Sequence, residues 1–174
     1  MKIALLLCIL AVAACFLTLR AAADPLPVGS PAPSLMVKTQ AGQELDLGKV
    51  FHEGVTLVYF YPKADTPGCT KQACNLRDFR KDLLKAGIRP IGVSADSVSD
   101  QKAFEEKYQL NFDLIADADA KVIQAFGVPV TMGRFASRQS FLIRDGKVVW
   151  HQPKANPSTQ AQDAIAALAA LPQS

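Results

Sequence analysis

Apolar residues along this chain fall into runs whose spacing changes from one segment to the next. The stretch "VTLVYFY" (55–61) is continuously β-branched and aromatic, the pattern of a strand buried on both faces. "IRPIGVSAD" (88–96) predicts a second buried strand and "FDLIAD" (112–117) a third. Between them the spacing turns helical. Residues 67–86 place Ala73, Leu76, Phe79, Leu83 and Leu84 on one stripe, with Gly87 as the stop. "SVSDQKAFEEKYQ" (97–109) predicts a capped amphipathic helix, and "ADAKVIQAFG" (118–127) a short one ended by Gly127. "LMVKTQAGQELDL" (35–47) alternates about a glycine, as a short hairpin does. "SRQSFLIRDGKVVWHQ" (137–152) predicts a second hairpin turning at Asp145-Gly146. "PSTQAQDAIAALAAL" (157–171) closes the chain as an Ala-rich helix started by Ser158 or Thr159.

Strands alternating with helices, followed by a hairpin and a helix, predict an α/β fold with a central mixed sheet flanked by helices. The 35–47 hairpin is an N-terminal extension of it, and the Pro-rich "DPLPVGSPAPS" (24–34) an extended arm leading in. The chain has 174 residues, enough for one domain, assigned here to 35–174, and no internal repeat. In open α/β sheets, sites gather where strands end and helices begin. The segment "CTKQAC" (69–74) falls at that junction, which makes it a site candidate before any motif is considered.

The first 23 residues stand apart. Lys2, an apolar run from Ile3 to Leu19 and the small residues Ala21 and Ala23 form the pattern of a secretory signal, cut after Ala23. An uncleaved anchor is the alternative, and "VAAC" fits a lipidation site at Cys15 loosely, although the apolar "FLTL" after it argues against. Loss of Lys2 and Arg20 lowers the formal charge from +3 to +1, because all 16 acidic residues lie further on. No basic stripe remains to recommend nucleic acid as a partner. Cys8 and Cys15 go as well, leaving Cys69 and Cys74.

Two cysteines in an exported protein ordinarily read as a structural disulfide. Their surroundings argue otherwise. Thr66 and Pro67 look like the N-cap and first residue of a helix, so Cys69 lies in its first turn. There the unpaired backbone amides and the positive end of the helix dipole favour thiolate, the attacking species in thiol chemistry. Positions i and i+5 of a helix have Cα atoms roughly 8.6 Å apart, beyond the roughly 7 Å limit of a disulfide. A bridge inside an intact helix is therefore excluded, and a labile one formed when the first turn unwinds is left. Zinc wants about four ligands, and His52 and His151 are remote from the pair; the C-x-x-C of a dithiol oxidoreductase is absent.

"YFYPKADTPGCTKQACNLRD" resembles the active-site segment of the peroxiredoxins, and most of all their bacterioferritin comigratory protein, or PrxQ, subfamily. Pro62, Thr66 and Cys69 meet the family's P-x-x-x-T-x-x-C pattern, Cys74 matches the subfamily's resolving cysteine, and Arg138 in "SRQSFLIRDGK" matches an arginine ahead of a strand. The likeness runs from about residue 28 to 171. It implies a thioredoxin-like fold and thiol-dependent reduction of hydrogen peroxide and organic hydroperoxides. Cys69 would be the peroxidatic cysteine, oxidised to a sulfenic acid, with Thr66 hydrogen-bonded to sulfur and peroxide. Arg138 and the amides near Gly68 would stabilise charge on the peroxide, and Pro62 would shield the pocket. Cys74 would then form an intramolecular Cys69–Cys74 disulfide, reduced by a thioredoxin-like donor, with no metal or organic cofactor. With both cysteines in one chain, a monomer is the default.

The 128–138 loop is short, and Arg134 competes with Arg138 for the arginine role; Arg138 is preferred because it stands at the strand entry, three residues before Phe141. Trp150, both histidines, Asp65 and Lys71 are assigned nothing. Two other functions compete with the peroxidase: a redox sensor or holdase of the same fold, and a protein thiol–disulfide exchanger. Export would put the protein in the periplasm or outside the cell, where cytosolic thioredoxin cannot reach it; an anchored form would face the same compartment. Mass analysis of the exported protein should find an N-terminus at Asp24, and a full-length or Cys15-lipidated species would overturn the cleavage.

Overall fold

The computed structural model describes residues 24–172, so the signal segment 1–23 lies outside the described residues. Its core is the strand β3 (Val55–Phe60), whose every residue from Thr56 on is buried. The period of two decides which face each side chain serves. Val58 and Phe60 enter one hydrophobic cluster, while Leu57, Tyr59 and Tyr61 enter another on the opposite face. Both faces are covered, which is why the segment reads as a continuous apolar run.

Two short strands, β1 (Met36–Lys38) and β2 (Glu44–Asp46), form the N-terminal hairpin, followed by the short helix α1 (Leu47–Val50). The site helix α2 (Pro67–Asp78) and α3 (Arg80–Lys85) follow β3. Then come β4 (Ile88–Ser94), α4 (Val98–Tyr108), β5 (Asp113–Ala116), α5 (Lys121–Ala125) and a small hairpin of β6 (Val130–Thr131) and β7 (Phe135–Ala136). The closing hairpin β8 (Ser140–Arg144) and β9 (Lys147–Gln152) leads to α6 (Gln160–Ala170). The main sheet has the order β5-β4-β3-β8-β9. β4 and β5 run parallel to β3, and β8 runs against β3 and β9. This is the mixed, thioredoxin-like sheet expected, with β8 the one reversed strand.

Leu47 and Val50 of α1 and Val122 and Ile123 of α5 pack into one cluster with Phe126 and Phe141. Ala73 and Leu76 of α2, Leu83 of α3, Phe104 of α4 and Ala161 and Ala164 of α6 fill the other. Truncating a fully buried leucine such as Leu76 to alanine would cost about 2–5 kcal/mol. Ser97 and Asp100 form a capping box at the start of α4. The Asp145-Gly146 turn has φ of 52° and 70°, the double left-handed geometry that lets a two-residue hairpin follow the strand twist. A Cβ on Gly146 would also come 2.5 Å from the His52 ring.

One expectation needs correction, and two gain detail. The helix foreseen over 67–86 breaks at Phe79, whose ψ of 13° leaves the helical range. The break changes the register, so Leu83 is fully buried while Leu84, expected on the apolar stripe, is 46% exposed. The 128–138 loop contains the β6–β7 hairpin, which two-residue strands are too short to announce. The arm at 24–34 does more than lead in. Gly29 N–H donates to Val148 O, Val148 N–H to Ser30 O and Ala32 N–H to Gly146 O, at 2.8–2.9 Å, so the arm pairs with the free edge of β9. Further on, Gln40 N–H donates to Leu114 O and Gln40 Oε1 accepts from Leu114 N–H, closing the edge of β5. One N-terminal segment thus covers both sheet edges, which would otherwise invite pairing with another chain.

His151 stacks on Phe141 at 4.3 Å between ring centroids and bonds Gln139 Oε1 through Nε2 at 2.7 Å. Its partial burial lowers its pKa below the ordinary imidazole value. The folded protein then binds fewer protons than the unfolded chain just below pH 6.5, so stability is full above that pH and lost as pH falls toward the lowered folded value. Thermal melts should show a drop in midpoint between pH 7.5 and 5.5 that is smaller in His151→Phe.

Candidate active site

The register of the sheet builds the site. Ser140 lies opposite Tyr59, and Phe60 N–H donates to Gln139 O at 2.8 Å. The entry to β8 is thereby fixed beside the exit of β3, where α2 begins. Arg138, one residue before that contact, reaches across the start of α2. Its Nη2 donates to Cys69 Sγ at 3.4 Å and its Nη1 donates to Gln72 Oε1. Cys69 is 1% exposed in the first turn of α2. The first backbone bond of that turn is Thr70 N–H to Thr66 O at 2.8 Å, so the amides of Gly68 and Cys69 precede the ladder and sit at the positive end of the helix. A Cβ at position 68 would stand 3.2 Å from Arg138 Nη2; glycine leaves the guanidinium room to approach.

Of the two arginines, the structure places Arg138, the one preferred from its position ahead of β8, on the Cys69 sulfur. Arg134 lies on the β6–β7 hairpin, with Nη2 donating to Ala95 O at 3.1 Å and its guanidinium over the Phe135 ring. Thr66 holds the N-cap position with extended backbone (φ −91°, ψ 151°), yet makes no side-chain cap bond. Its hydroxyl donates to Lys63 O at 3.0 Å instead. Pro62 is half-buried just past β3. Cys74 is half-buried on the same unbroken helix as Cys69, and both thiols are free, as the five-residue spacing requires.

The loop between β3 and α2 is held from below. Asp96, itself buried, accepts from Ala64 N–H at 2.8 Å and from Ser94 Oγ at 2.7 Å. Gln101 donates to Ser94 Oγ at 2.8 Å and accepts from the Tyr61 hydroxyl, whose pKa burial pushes well above the ordinary range. Asp65, given no role by its sequence position, adopts a φ of 58° and bonds Lys107 Nζ at 2.7 Å and the Tyr108 hydroxyl at 2.6 Å. Those two partners hold its carboxyl below the usual carboxylate range.

Sequence reasoning missed Gln72 and its extension. Gln72 Nε2 donates to Gln160 Oε1 on α6, and Gln160 Nε2 donates to Ser140 Oγ on β8; all three residues are 0% exposed. The one signal available was a glutamine three residues after Cys69, on the buried side of its helix.

A shielded cysteine at a helix N-terminus, after the central strand of a thioredoxin-like sheet and with a guanidinium on its sulfur, is the site of a thiol redox enzyme. The family model described as AhpC/TSA matches residues 28–151. Peroxiredoxin Bcp of Escherichia coli is 44% identical over 132 residues, 72% of this chain and 84% of that protein. A putative peroxiredoxin of Coxiella burnetii is 42% identical over 71% of this chain and 85% of its own. Among solved structures, peroxidoxin BcpB of Mycobacterium tuberculosis aligns with a TM-score of 0.78 at 30% identity, over 85% of this chain and 99% of that one. Bacterioferritin comigratory protein of Xanthomonas campestris, whose trapped-intermediate and ligand complexes bear on its alkyl peroxide reduction activity, aligns at 0.75 and 29% identity, over 84% and 98%. The chain belongs to the AhpC/TSA family and, within it, to the Bcp/PrxQ peroxiredoxins, which are thiol-dependent peroxidases.

If Arg138 is the arginine that serves the sulfur, Arg138→Ala should slow oxidation of Cys69 by hydrogen peroxide about 10²-fold, the usual loss of one fixed oxyanion donor. Arg134→Ala should leave that rate unchanged in the same stopped-flow experiment.

Proposed function

We propose that the protein reduces hydrogen peroxide and organic hydroperoxides through Cys69, with Cys74 as the resolving thiol of the same chain. The observation that carries the reading is the Arg138 guanidinium on the Cys69 sulfur at the amino end of α2. A guanidinium and the amino end of a helix converge there on a sulfur almost wholly shielded from water, so the positive groups stand where charge would develop on the reacting oxygens. The thiolate attacks the terminal oxygen of the hydroperoxide; the S–O bond forms as the O–O bond breaks, and the alkoxide leaves to take up a proton. Arg138 and the Gly68 and Cys69 amides face the charge that develops on the oxygens. Thr66 Oγ, its proton committed to Lys63 O, has lone pairs to accept the peroxide O–H. Pro62 helps to wall the pocket.

The first turns of α2 then unwind, and the Cys74 thiolate attacks the Cys69 sulfenic acid, releasing water and forming the disulfide. A thioredoxin-like dithiol reduces it. Nothing in this cycle needs a second subunit, and a monomer suffices. The signal pattern of residues 1–23 supports an exported, periplasmic or secreted enzyme whose donor shares that compartment; retention of the segment would tether it to a membrane facing the same side.

Cys69→Ser should abolish peroxide consumption in the presence of dithiol, and full turnover by that variant would sink the reading. Cys74→Ser should still react once, accumulate a sulfenic acid that dimedone traps, and recycle slowly with a thioredoxin-like donor. A sensor or a disulfide exchanger would instead show one-time oxidation, or protein-thiol exchange without sustained peroxide loss.

A further inference from the structure

The stretch that must unwind for Cys69 to reach Cys74 is the stretch that α6 holds. Two side chains of α2 cross to α6: Gln72, between the cysteines, and Asn75, one position beyond them. Gln72 donates to Gln160, and Gln160 to Ser140, all inside the fold where water cannot replace a lost partner. Asn75 Nδ2 donates to Ser158 O at 2.9 Å and Gln162 Oε1 at 3.1 Å, and its Oδ1 accepts from Ala161 N–H at 2.9 Å. Thr159, the N-cap residue of α6, makes no side-chain cap bond, so Asn75 supplies the cap from another helix.

The two sets of bonds are placed differently relative to the cysteines. Unwinding residues 69–74 carries Gln72 away from both Gln160 and Arg138. Asn75 lies past Cys74, so an opening confined to 69–74 leaves its bonds in place. We propose that Gln160 is a latch: a positioning residue on α6 that, through Gln72, sets how readily α2 unwinds and so how oxidised Cys69 divides between two fates. The proposal rests on the resolving role given to Cys74 above. In one fate the Cys74 thiolate attacks, an S–S bond replaces the S–O bond, and the oxygen leaves as water after protonation. In the other the helix stays wound, and a second hydroperoxide transfers one oxygen atom to the sulfur, giving a sulfinate and an alcohol.

The test is a titration of the reduced full chain with tert-butyl hydroperoxide, scored by intact mass as disulfide against sulfinate. Gln160→Ala strips the buried acceptor of Gln72 only while the helix is wound, so the unwound state should gain about two- to tenfold. The disulfide-to-sulfinate ratio should rise by that factor, and amides 70–74 should exchange faster with deuterium. Ser140→Ala removes only the far end of the relay and should shift the ratio the same way by less. Val122→Ala, in the cluster on the other face of the sheet, lowers global stability without touching the relay and should leave the ratio alone. The latch is overturned if Gln160→Ala and Ser140→Ala divide like wild type, or if Val122→Ala shifts the ratio as far as Gln160→Ala. Should Gln160→Ala fail to fold, Ser140→Ala decides. Wild-type protein that forms no Cys69–Cys74 bond at all removes the resolving role of Cys74 and the latch with it, a result separate from the other two.

Discussion

The site depends on one crossing: the entry of β8, running against β3, brings Arg138 over the first turn of a helix 69 residues earlier in the chain. Neither residue is informative alone. Cys69 without the guanidinium is one buried cysteine among apolar neighbours, and Arg138 without the sulfur is an arginine ahead of a strand. The pairing of Ser140 with Tyr59 and the bond from Phe60 N–H to Gln139 O fix the distance between them. Slipping β8 by one residue would turn Phe141 out of its aromatic cluster, so the packing that stabilises the sheet also sets the catalytic geometry.

In the proposed cycle, that crossing holds two demands in opposition. Reaction with peroxide needs α2 wound, since only then do the amino-end amides, Arg138 and Cys69 converge. Resolution by Cys74, as proposed, would need the same turns open, since the intact helix keeps the two thiols apart. Hydrogen bonds from α2 to α6 flank Cys74 on both sides. The bonds of Gln72 lie between the two cysteines, and those of Asn75 lie just beyond them.

What the sequence disclosed was what is local. The Asp145-Gly146 turn, the Ser97 cap, the buried run at 55–61 and the Thr66-Pro67 helix start each state their structure within a few residues, and the structure has them all. The cysteine spacing did the same for the site. Long-range polar bonds were not legible. Gln72, Gln160 and Ser140 are separated by up to 88 positions, and no periodicity marks a glutamine that will face another glutamine. The preference for Arg138 over Arg134 was legible from its place ahead of β8, but the reach of its guanidinium to the sulfur was not, and the hydroxyl of Thr66 turns back to Lys63 three residues earlier rather than to its own helix. The break at Phe79 was hidden because the apolar spacing continues through it while the backbone does not.

The N-terminal strap carries a consequence for how the chain matures. It is made first, yet its docking sites on β5 and β9 are completed only when residues up to about 150 have been added. The berth on β5 is available once residue 116 is in place, but the one on β9 is not, and a product truncated before Lys147 would never acquire it. Synthesis of the closing hairpin is therefore the event that seals the molecule against its own copies.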